Sequence, residues 1–275
     1  MSDDKPLEDQ VRWALEGSVG WITLDRPEVA NAISPAQRNR AIDLLAAASA
    51  DLHVRAVVLT ATGDAFCTGA DLRARQPSAP RPDDAPARAG GEVARLIRDG
   101  AQRLVAAILD CEVPVIAAVN GTAAGIGAHL AWACDLVVAA ESARFIEVFV
   151  RRGLVPDGGG AWLLPRLVGV HRAKLLLLLG DALGAADAHA LGLVNRVVPD
   201  DELAGAAGEL AERLAAGPTR AMALTKALVN DALHADRAAA FAAEAQAQEL
   251  NMATADAQEG VAAFVERRTP TYRGW

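Results

Sequence analysis

The middle of the chain reads Val119-Asn120-Gly121-Thr122-Ala123-Ala124-Gly125-Ile126-Gly127. Apolar residues typical of a buried strand precede this Gly-rich turn, and the residues after it have a helical pattern. A turn of this kind exposes backbone N–H groups at the positive end of a helix dipole. The stretch therefore predicts a strand–turn–helix unit of an α/β fold, whose turn holds a phosphate or a developing oxyanion.

The spacing of Gly121, Gly125 and Gly127 also resembles the nucleotide-binding turn of short-chain dehydrogenases. Those enzymes carry the turn near the N-terminus and need a tyrosine four residues before a lysine. Here the turn lies at mid-chain, and the single tyrosine is Tyr272, close to the C-terminal end. The dehydrogenase interpretation is therefore disfavoured, and glycine packing without function is the other alternative.

Periodicity and turn chemistry predict alternating strands and helices around this turn. Ser34-Pro35-Ala36-Gln37 has the residues of a capping box, with proline at the first helical position. The Pro-rich segment 74–90 predicts a mobile lid loop. The predicted strands are 11–16, 19–24, 55–60, 115–119 and 135–140, and the predicted helices are 35–50, 92–110, 127–133 and several after 201.

The composition excludes several classes of function. The 275 residues fit one large domain or a domain with an appendage. A net charge of -8 argues against nucleic acid or an anionic membrane as a partner, because both require a basic face. The longest aliphatic run, Leu175–Leu179, is too short to span a bilayer. Three cysteines without a CxxC pair predict reduced thiols in a cytoplasmic protein, and the histidines lack metal-ligand spacing, so no metal is expected.

A second segment makes the interpretation more specific. Phe66-Cys67-Thr68-Gly69-Ala70-Asp71-Leu72 follows a predicted strand. Together with the mid-chain turn it resembles the enoyl-CoA hydratase/isomerase (crotonase) superfamily, in which two such turns form an oxyanion hole. Further segments extend the resemblance over nearly the whole chain: Leu24-Asp25-Arg26-Pro27 with Asn31-Ala32, Gly153-Leu154-Val155-Pro156-Asp157-Gly158-Gly159-Gly160, Gly192-Leu193-Val194-Asn195, and Phe264 with Arg267-Arg268. The stretch from Gly153 to Arg166 looks most like the branch of the phenylacetyl-pathway 1,2-epoxyphenylacetyl-CoA isomerase.

The resemblance implies a fold and an assembly. Residues 1–200 are expected to form the crotonase ββα spiral core with the active site. Residues 201–275 are expected to form a helical C-terminal region that serves oligomerisation and acts as a CoA lid. A homotrimer or a hexamer, as a dimer of trimers, is implied as well.

The resemblance also implies the residues that bind an acyl-CoA thioester. A thioester oxygen gains negative charge when the α-proton leaves, and two N–H donors aimed at it stabilise that charge. The implied donors are the backbone amides of Ala70 and Ile126; isoleucine in place of the usual glycine is compatible if its φ stays negative. The implied coenzyme A contacts are Arg26, Ala70, Leu72, Phe264 and Arg267, with the last two assigned to the same or a neighbouring subunit. Coenzyme A is part of the substrate, and no separate cofactor is expected.

The sequence departs from the family at two catalytic positions. The two glutamates with which the family's hydratases position and activate water fall on His129 and Phe149. Glu147 is a weak substitute, because a helical turn would place it on a different face from Phe149. Asp157 lies where isomerases of the family carry a catalytic aspartate, and its alternative role is the N-cap of the next helix. His129 is either a packed core histidine or a pocket-lining, proton-handling group.

These residues predict an enzyme that isomerises an enoyl-CoA by α-proton abstraction and γ-reprotonation, with Asp157 as the single acid/base. Hydration of a 2-enoyl-CoA is the closest alternative, followed by other thioester chemistry such as hydrolysis or dehalogenation. An alternative of another class is a catalytically silent CoA-binding subunit, which the absence of both glutamates motivates.

Overall fold

Ten strands form two sheets in the computed structural model, which describes residues 5–74, 82–86 and 89–275. The larger sheet has the order β1-β2-β3-β5-β7-β10 and the smaller sheet the order β4-β6-β8-β9. Pairing is parallel except between β1 and β2 and between β8 and β9. The strands are β1 (Val11–Glu16), β2 (Val19–Leu24), β3 (Ala56–Ala61), β4 (Ala65–Cys67), β5 (Val115–Val119), β6 (Thr122–Ala124), β7 (Leu136–Ala140), β8 (Arg144–Ile146), β9 (Ala182–Gly184) and β10 (Arg196–Val198).

Successive strand pairs build a spiral. In β3–β4, β5–β6 and β7–β8, the first strand of each pair joins the larger sheet and the second joins the smaller one. This alternation confirms the expected α/β fold with a ββα spiral core. The helices are α1 (Leu7–Gln10), α2 (Pro35–Ala50), α3 (Glu92–Ile97), α4 (Arg103–Leu109), α5 (Ile126–Ala133), α6 (Gly160–Val168), α7 (Val170–Leu179), α8 (Ala185–Ala190), α9 (Leu203–Ala215), α10 (Thr219–Ala232), α11 (Arg237–Met252) and α12 (Ala255–Glu266).

The central strands of the larger sheet, β3, β5 and β7, are buried on both faces, which explains their continuous apolar sequences. Successive residues of β3 and β5 alternate between two clusters, since side chains of a strand point to opposite faces. Val57, Leu59 and Val115 belong to the main core. Val58 and Ile116 face the other side, where they pack with residues of α9.

Most predicted helices and strands begin and end within one residue of those in the structure. The α2 helix begins with the expected capping box: Ser34 Oγ accepts the Gln37 N–H at 3.3 Å, and Gln37 Oε1 accepts the Ser34 N–H at 2.8 Å. The helix predicted over 92–110 contains a π-helical turn, Arg98–Gln102, between α3 and α4.

Two expectations for the chain's organisation are left open. Residues 75–81 and 87–88 of the predicted lid lie outside the described residues. After β10 the described elements are all helical, and the division at residue 200 stays a prediction. Within the described ranges, none of the helices combines the length and the apolarity that crossing a membrane requires.

Candidate active site

The carboxyl ends of β4, β6 and β8 lie side by side, as the parallel registers Cys67↔Ala123 and Ala124↔Ile146 show. The chain leaves these ends through residues 68–70, through Gly125 and Ile126, and through Glu147. In α/β folds, ligands bind outside the carboxyl ends of parallel strands. The two Gly-rich segments identified in the sequence are therefore brought to one edge of the smaller sheet.

A close backbone approach holds the two turns together. A Cβ atom at Gly127 would lie 1.9 Å from the carbonyl oxygen of Cys67, so a side chain cannot fit there. Gly125 has φ 55° and ψ -124°, a conformation that residues with a Cβ rarely adopt. These glycines therefore allow the N-terminal end of α5 to approach the turn that carries Ala70.

The two amides proposed as donors are left free by their neighbours. The Ile33 N–H donates to the Gly69 carbonyl at 2.9 Å, and the Asp71 N–H donates to the Ile33 carbonyl at 3.0 Å. In this parallel bridge the N–H of Ala70 points away from Ile33. Ile126 is the first residue of α5, so its N–H has no acceptor within the helix. Its helical conformation also keeps φ negative, as the replacement of glycine requires.

Arg26 supports this turn from inside the fold. The residue is 3% exposed, and its Nη1 donates to Gln37 Oε1 at 3.1 Å and to Asp71 Oδ2 at 3.2 Å. Asp71 directly follows Ala70. The expected coenzyme A contact at Arg26 is thereby corrected, because the buried guanidinium is used to anchor the Ala70 turn and does not face solvent.

His129 and Glu147 form a buried pair beneath the second turn. Nε2 of His129 lies 2.9 Å from Oε1 and 3.2 Å from Oε2 of Glu147, and both side chains are almost fully buried. The ring of Phe149 stacks on the imidazole with centroids 5.4 Å apart and an interplanar angle of 14°. The sequence interpretation undervalued Glu147, because this residue directly follows β8 and lies outside the short helix Val150–Arg152.

Asp157 lies in the turn that covers this pair. A Cβ atom at Gly158 would lie 2.8 Å from Nδ1 of His129 and 3.1 Å from Cδ1 of Ile126. Burial raises the pKa of the Asp157 carboxyl above its ordinary value, while electrostatic attraction to His129 opposes that rise. The alternative role as a helix N-cap is wrong, since the N-cap of α6 is Gly159.

The remaining predicted contacts are on the surface. Leu72 is 74% exposed and Phe264 is 85% exposed. Arg267 is exposed at the end of α12 and makes no ion pair within the described parts of the chain, whereas Arg268 is bonded to Glu259 and Glu266. Arg267 is therefore available to an external anion, and Arg268 is engaged.

The site combines an anion-stabilising edge with one half-buried carboxylate. Two backbone amides lie at the ends of neighbouring parallel strands, and Asp157 lies on the turn that packs over the beginning of α5. An arrangement of this kind can stabilise negative charge on an oxygen and move a proton at a nearby carbon.

Known proteins with the same fold and a similar sequence are numerous. The profile of the Enoyl-CoA hydratase/isomerase family matches residues 14–274. A Rhodobacter capsulatus protein named "Probable enoyl-CoA hydratase" is 40% identical over 96% of this chain and 98% of its own length. The 1,2-epoxyphenylacetyl-CoA isomerase of Escherichia coli is 39% identical over 94% of this chain and 97% of its own length. The crystal structure of enoyl-CoA hydratase from Bacillus anthracis is 34% identical and covers 97% of this chain and 100% of its own, with a TM-score of 0.86.

Proposed function

The chain belongs to the enoyl-CoA hydratase/isomerase family of enzymes, and we propose that within this family it moves the double bond of an enoyl-CoA. In this proposal Asp157 removes a proton from the α-carbon and returns it to the γ-carbon. The electron pair of the broken C–H bond passes into the thioester enolate. The backbone amides of Ala70 and Ile126 stabilise the negative charge on the thioester oxygen.

The proposal rests on the residues at the two positions where the family's hydratases carry glutamates. His129 and Phe149 stand there, and their rings stack on each other. Neither side chain is a carboxylate that could hold and activate a water. Glu147 is bonded to His129 and is 3% exposed, so its carboxylate is engaged inside the fold. Asp157 is then the carboxylate best placed to exchange a proton with the substrate.

Hydration of a 2-enoyl-CoA is the second candidate. The observation that favours it is the buried His129–Glu147 pair near Asp157, because two acid/base centres can serve the addition of water. The name of the Rhodobacter capsulatus relative points in the same direction.

Coenzyme A binding is proposed at Ala70, Leu72, Phe264 and Arg267. A flat exposed apolar side chain such as Phe264 suits an adenine ring, and an unpaired guanidinium suits a phosphate. Phe264 and Arg267 lie near the end of α12, and in an oligomer a neighbouring subunit is proposed to supply them.

Mass and absorbance separate the candidate reactions. The protein is incubated with a panel of 2-enoyl-CoAs and 3-enoyl-CoAs, with Asp157→Asn as the matched control. Isomerisation leaves the mass unchanged and changes the absorbance of the conjugated thioester, whereas hydration adds the mass of one water. Rapid hydration with no isomerisation refutes the proposed reaction. Binding of the thioesters without any conversion favours the silent CoA-binding subunit.

A further inference from the structure

The two ring nitrogens of His129 have different environments. Nε2 lies 2.9 Å from the Glu147 carboxylate. Nδ1 is equally buried, yet it has no hydrogen-bond partner among the described residues. Leaving a polar atom buried and unpaired is costly, so its retention requires an explanation.

Nδ1 lies beside the turn that carries Asp157. A Cβ atom at Gly158 would lie 2.8 Å from Nδ1, and a Cβ atom at Gly160 would lie 2.2 Å from Nε2. The imidazole therefore occupies the space that two side chains of this turn would take. Because Asp157 directly precedes these glycines, the ring lies under the proposed acid/base.

The surroundings of this group are otherwise apolar. Phe149 stacks on the ring. A Cβ atom at Gly158 would lie 3.1 Å from Cδ1 of Ile126, and a Cβ atom at Gly159 would lie 3.6 Å from Cγ1 of Val105 in α4. Among the described residues, Glu147 is the charged partner of His129, and His129 is the titratable side chain that acts on Asp157.

We propose that Glu147 is a positioning residue that acts through His129 on Asp157. Its carboxylate accepts the Nε2–H hydrogen bond, fixes the ring plane, and holds the imidazole beside the Asp157 turn. An anion beside an imidazole favours the protonated ring, and a cation near a carboxyl favours the carboxylate. The pair thus opposes the rise that burial causes in the pKa of Asp157. This inference rests on the proposed role of Asp157 as the acid/base.

The Glu147→Gln variant tests the inference through the pH dependence of kcat/KM. Glutamine keeps the shape and an acceptor oxygen for Nε2–H but removes the charge. The acidic limb is expected to move to higher pH by about 0.5–1 unit, since Asp157 loses the attraction that favours its carboxylate. Glu141→Gln, which changes an exposed carboxylate just before β8, should leave the limb in place. A purely structural Glu147 would lower stability without moving the limb.

A double-mutant cycle and a spectroscopic readout complete the test. If Glu147 acts through His129, adding Glu147→Gln to His129→Gln should move the limb no further. Nitrogen NMR of the His129 ring should show a proton on Nε2 in the wild type and an altered titration in Glu147→Gln. An unmoved acidic limb in a folded Glu147→Gln, or an Nε2 without a proton, overturns the inference. Should Glu147→Gln not fold, His129→Gln carries the test: its acidic limb should lie at higher pH than that of the wild type, and an unmoved limb overturns the inference.

The ring spectrum needs no turnover, so failure of the proposed reaction is recognised separately. Full isomerase activity in Asp157→Asn would remove the role of Asp157 in catalysis. The NMR titration would still show whether Glu147 controls the charge of His129.

Discussion

The glycines that follow Asp157 show how one side chain, that of His129, restricts which residues can lie beside it. Gly158 and Gly160 are tied to His129, whose imidazole fills the space beside them, and Gly159 has a φ of 91° that favours glycine. A bulky residue at 158 or 160 would displace either the turn or the ring. The position of the proposed base and the identity of residue 129 are therefore linked.

Asp157→Asn removes the basic oxygen while keeping the size of the side chain. Turnover is expected to fall by roughly 10²–10⁴-fold, as for a lost general base, with coenzyme A affinity and the unfolding midpoint nearly unchanged. Because burial raises the pKa of Asp157, wild-type kcat/KM should fall with decreasing pH at values above the ordinary range of an aspartate. Steady-state kinetics over pH, with calorimetry for binding, measures both. Retention of full activity by the variant would contradict the assignment.

At this scale the sequence located Asp157 and His129 but undervalued Glu147. A carboxylate within the apolar run Phe145-Ile146-Glu147-Val148-Phe149 was the available signal, since charged residues are seldom fully buried without a partner. The partner, His129, is 18 residues away on α5, and no local pattern connects them. Arg26 was misjudged for the same reason, because its partner Asp71 lies 45 residues along the chain.

At the scale of elements, the approach of α5 to the β4 turn fixes the proposed oxyanion hole. Strand and helix positions followed from local periodicity and capping, as α2 shows with both bonds of its capping box. The π-helical turn between α3 and α4 was not predicted. Such a turn contains only one residue more than an α-helical turn, so the sequence keeps an ordinary helical pattern. Local chemistry thus predicts the elements, and the contacts between them depend on long-range packing.

Gly127→Ala tests that approach. The new Cβ would lie 1.9 Å from a backbone oxygen of Cys67, which cannot rotate away as a side chain could. We expect a loss of about 1–3 kcal/mol in the free energy of unfolding. We also expect kcat to fall by roughly 10²–10³-fold as one donor is displaced. Denaturant unfolding and kinetics measure the two effects.

Gly205→Ala is the matched control for this substitution. Gly205 lies in α9, and a Cβ atom there would meet nothing within 4 Å. Alanine should therefore leave activity unchanged and raise stability by up to about 1 kcal/mol. Equal activity losses in both variants would rule out the proposed displacement of the donor.

The C-terminal tail is held on α12 by carboxylates of that helix. Glu259 accepts hydrogen bonds from the Arg268 guanidinium at 2.5 and 2.8 Å and from the Thr271 N–H at 2.8 Å. These contacts lower the pKa of Glu259 to about 2. Since the folded pKa is below the ordinary value, this contribution to tail docking is complete above pH 4.5 and is lost as the pH falls towards 2.

Amide hydrogen exchange of residues 268–275 measures this docking. Protection of the tail should decrease in Glu259→Gln at neutral pH, while the core strands keep their protection. In the wild type the same loss should occur only in acid. Unchanged protection of the tail in Glu259→Gln would show that Asp256, which accepts the Arg273 and Gly274 N–H groups, suffices.

At the scale of the whole molecule, apolar side chains are exposed along the helical C-terminal region. Five of these side chains are each more than half exposed: Phe241, Leu250, Val261, Phe264 and Val265. Soluble monomers seldom expose apolar patches of large size, so subunit contacts are a natural use of this surface. We propose a homotrimer or a hexamer, which analytical ultracentrifugation would test; a monomer at micromolar concentration would contradict it.

Arg267→Glu tests the proposed coenzyme A contact at the end of α12. Arg267 is exposed and makes no ion pair within the described ranges of the chain, so it is free to meet a phosphate of the ligand. Reversing its charge replaces a charge-assisted hydrogen bond by repulsion. Coenzyme A binding, measured by calorimetry, should weaken by roughly 10–100-fold, which corresponds to about 1.5–3 kcal/mol.

Arg213→Glu is the control, because this exposed arginine lies on α9, which packs on the opposite face of the larger sheet. If Arg267 acts from a neighbouring subunit, turnover at low substrate concentration should be partly restored when Arg267→Glu subunits are co-assembled with Asp157→Asn subunits, since some sites then combine an intact Asp157 with an intact Arg267. Wild-type affinity in Arg267→Glu would remove this residue from the coenzyme A site.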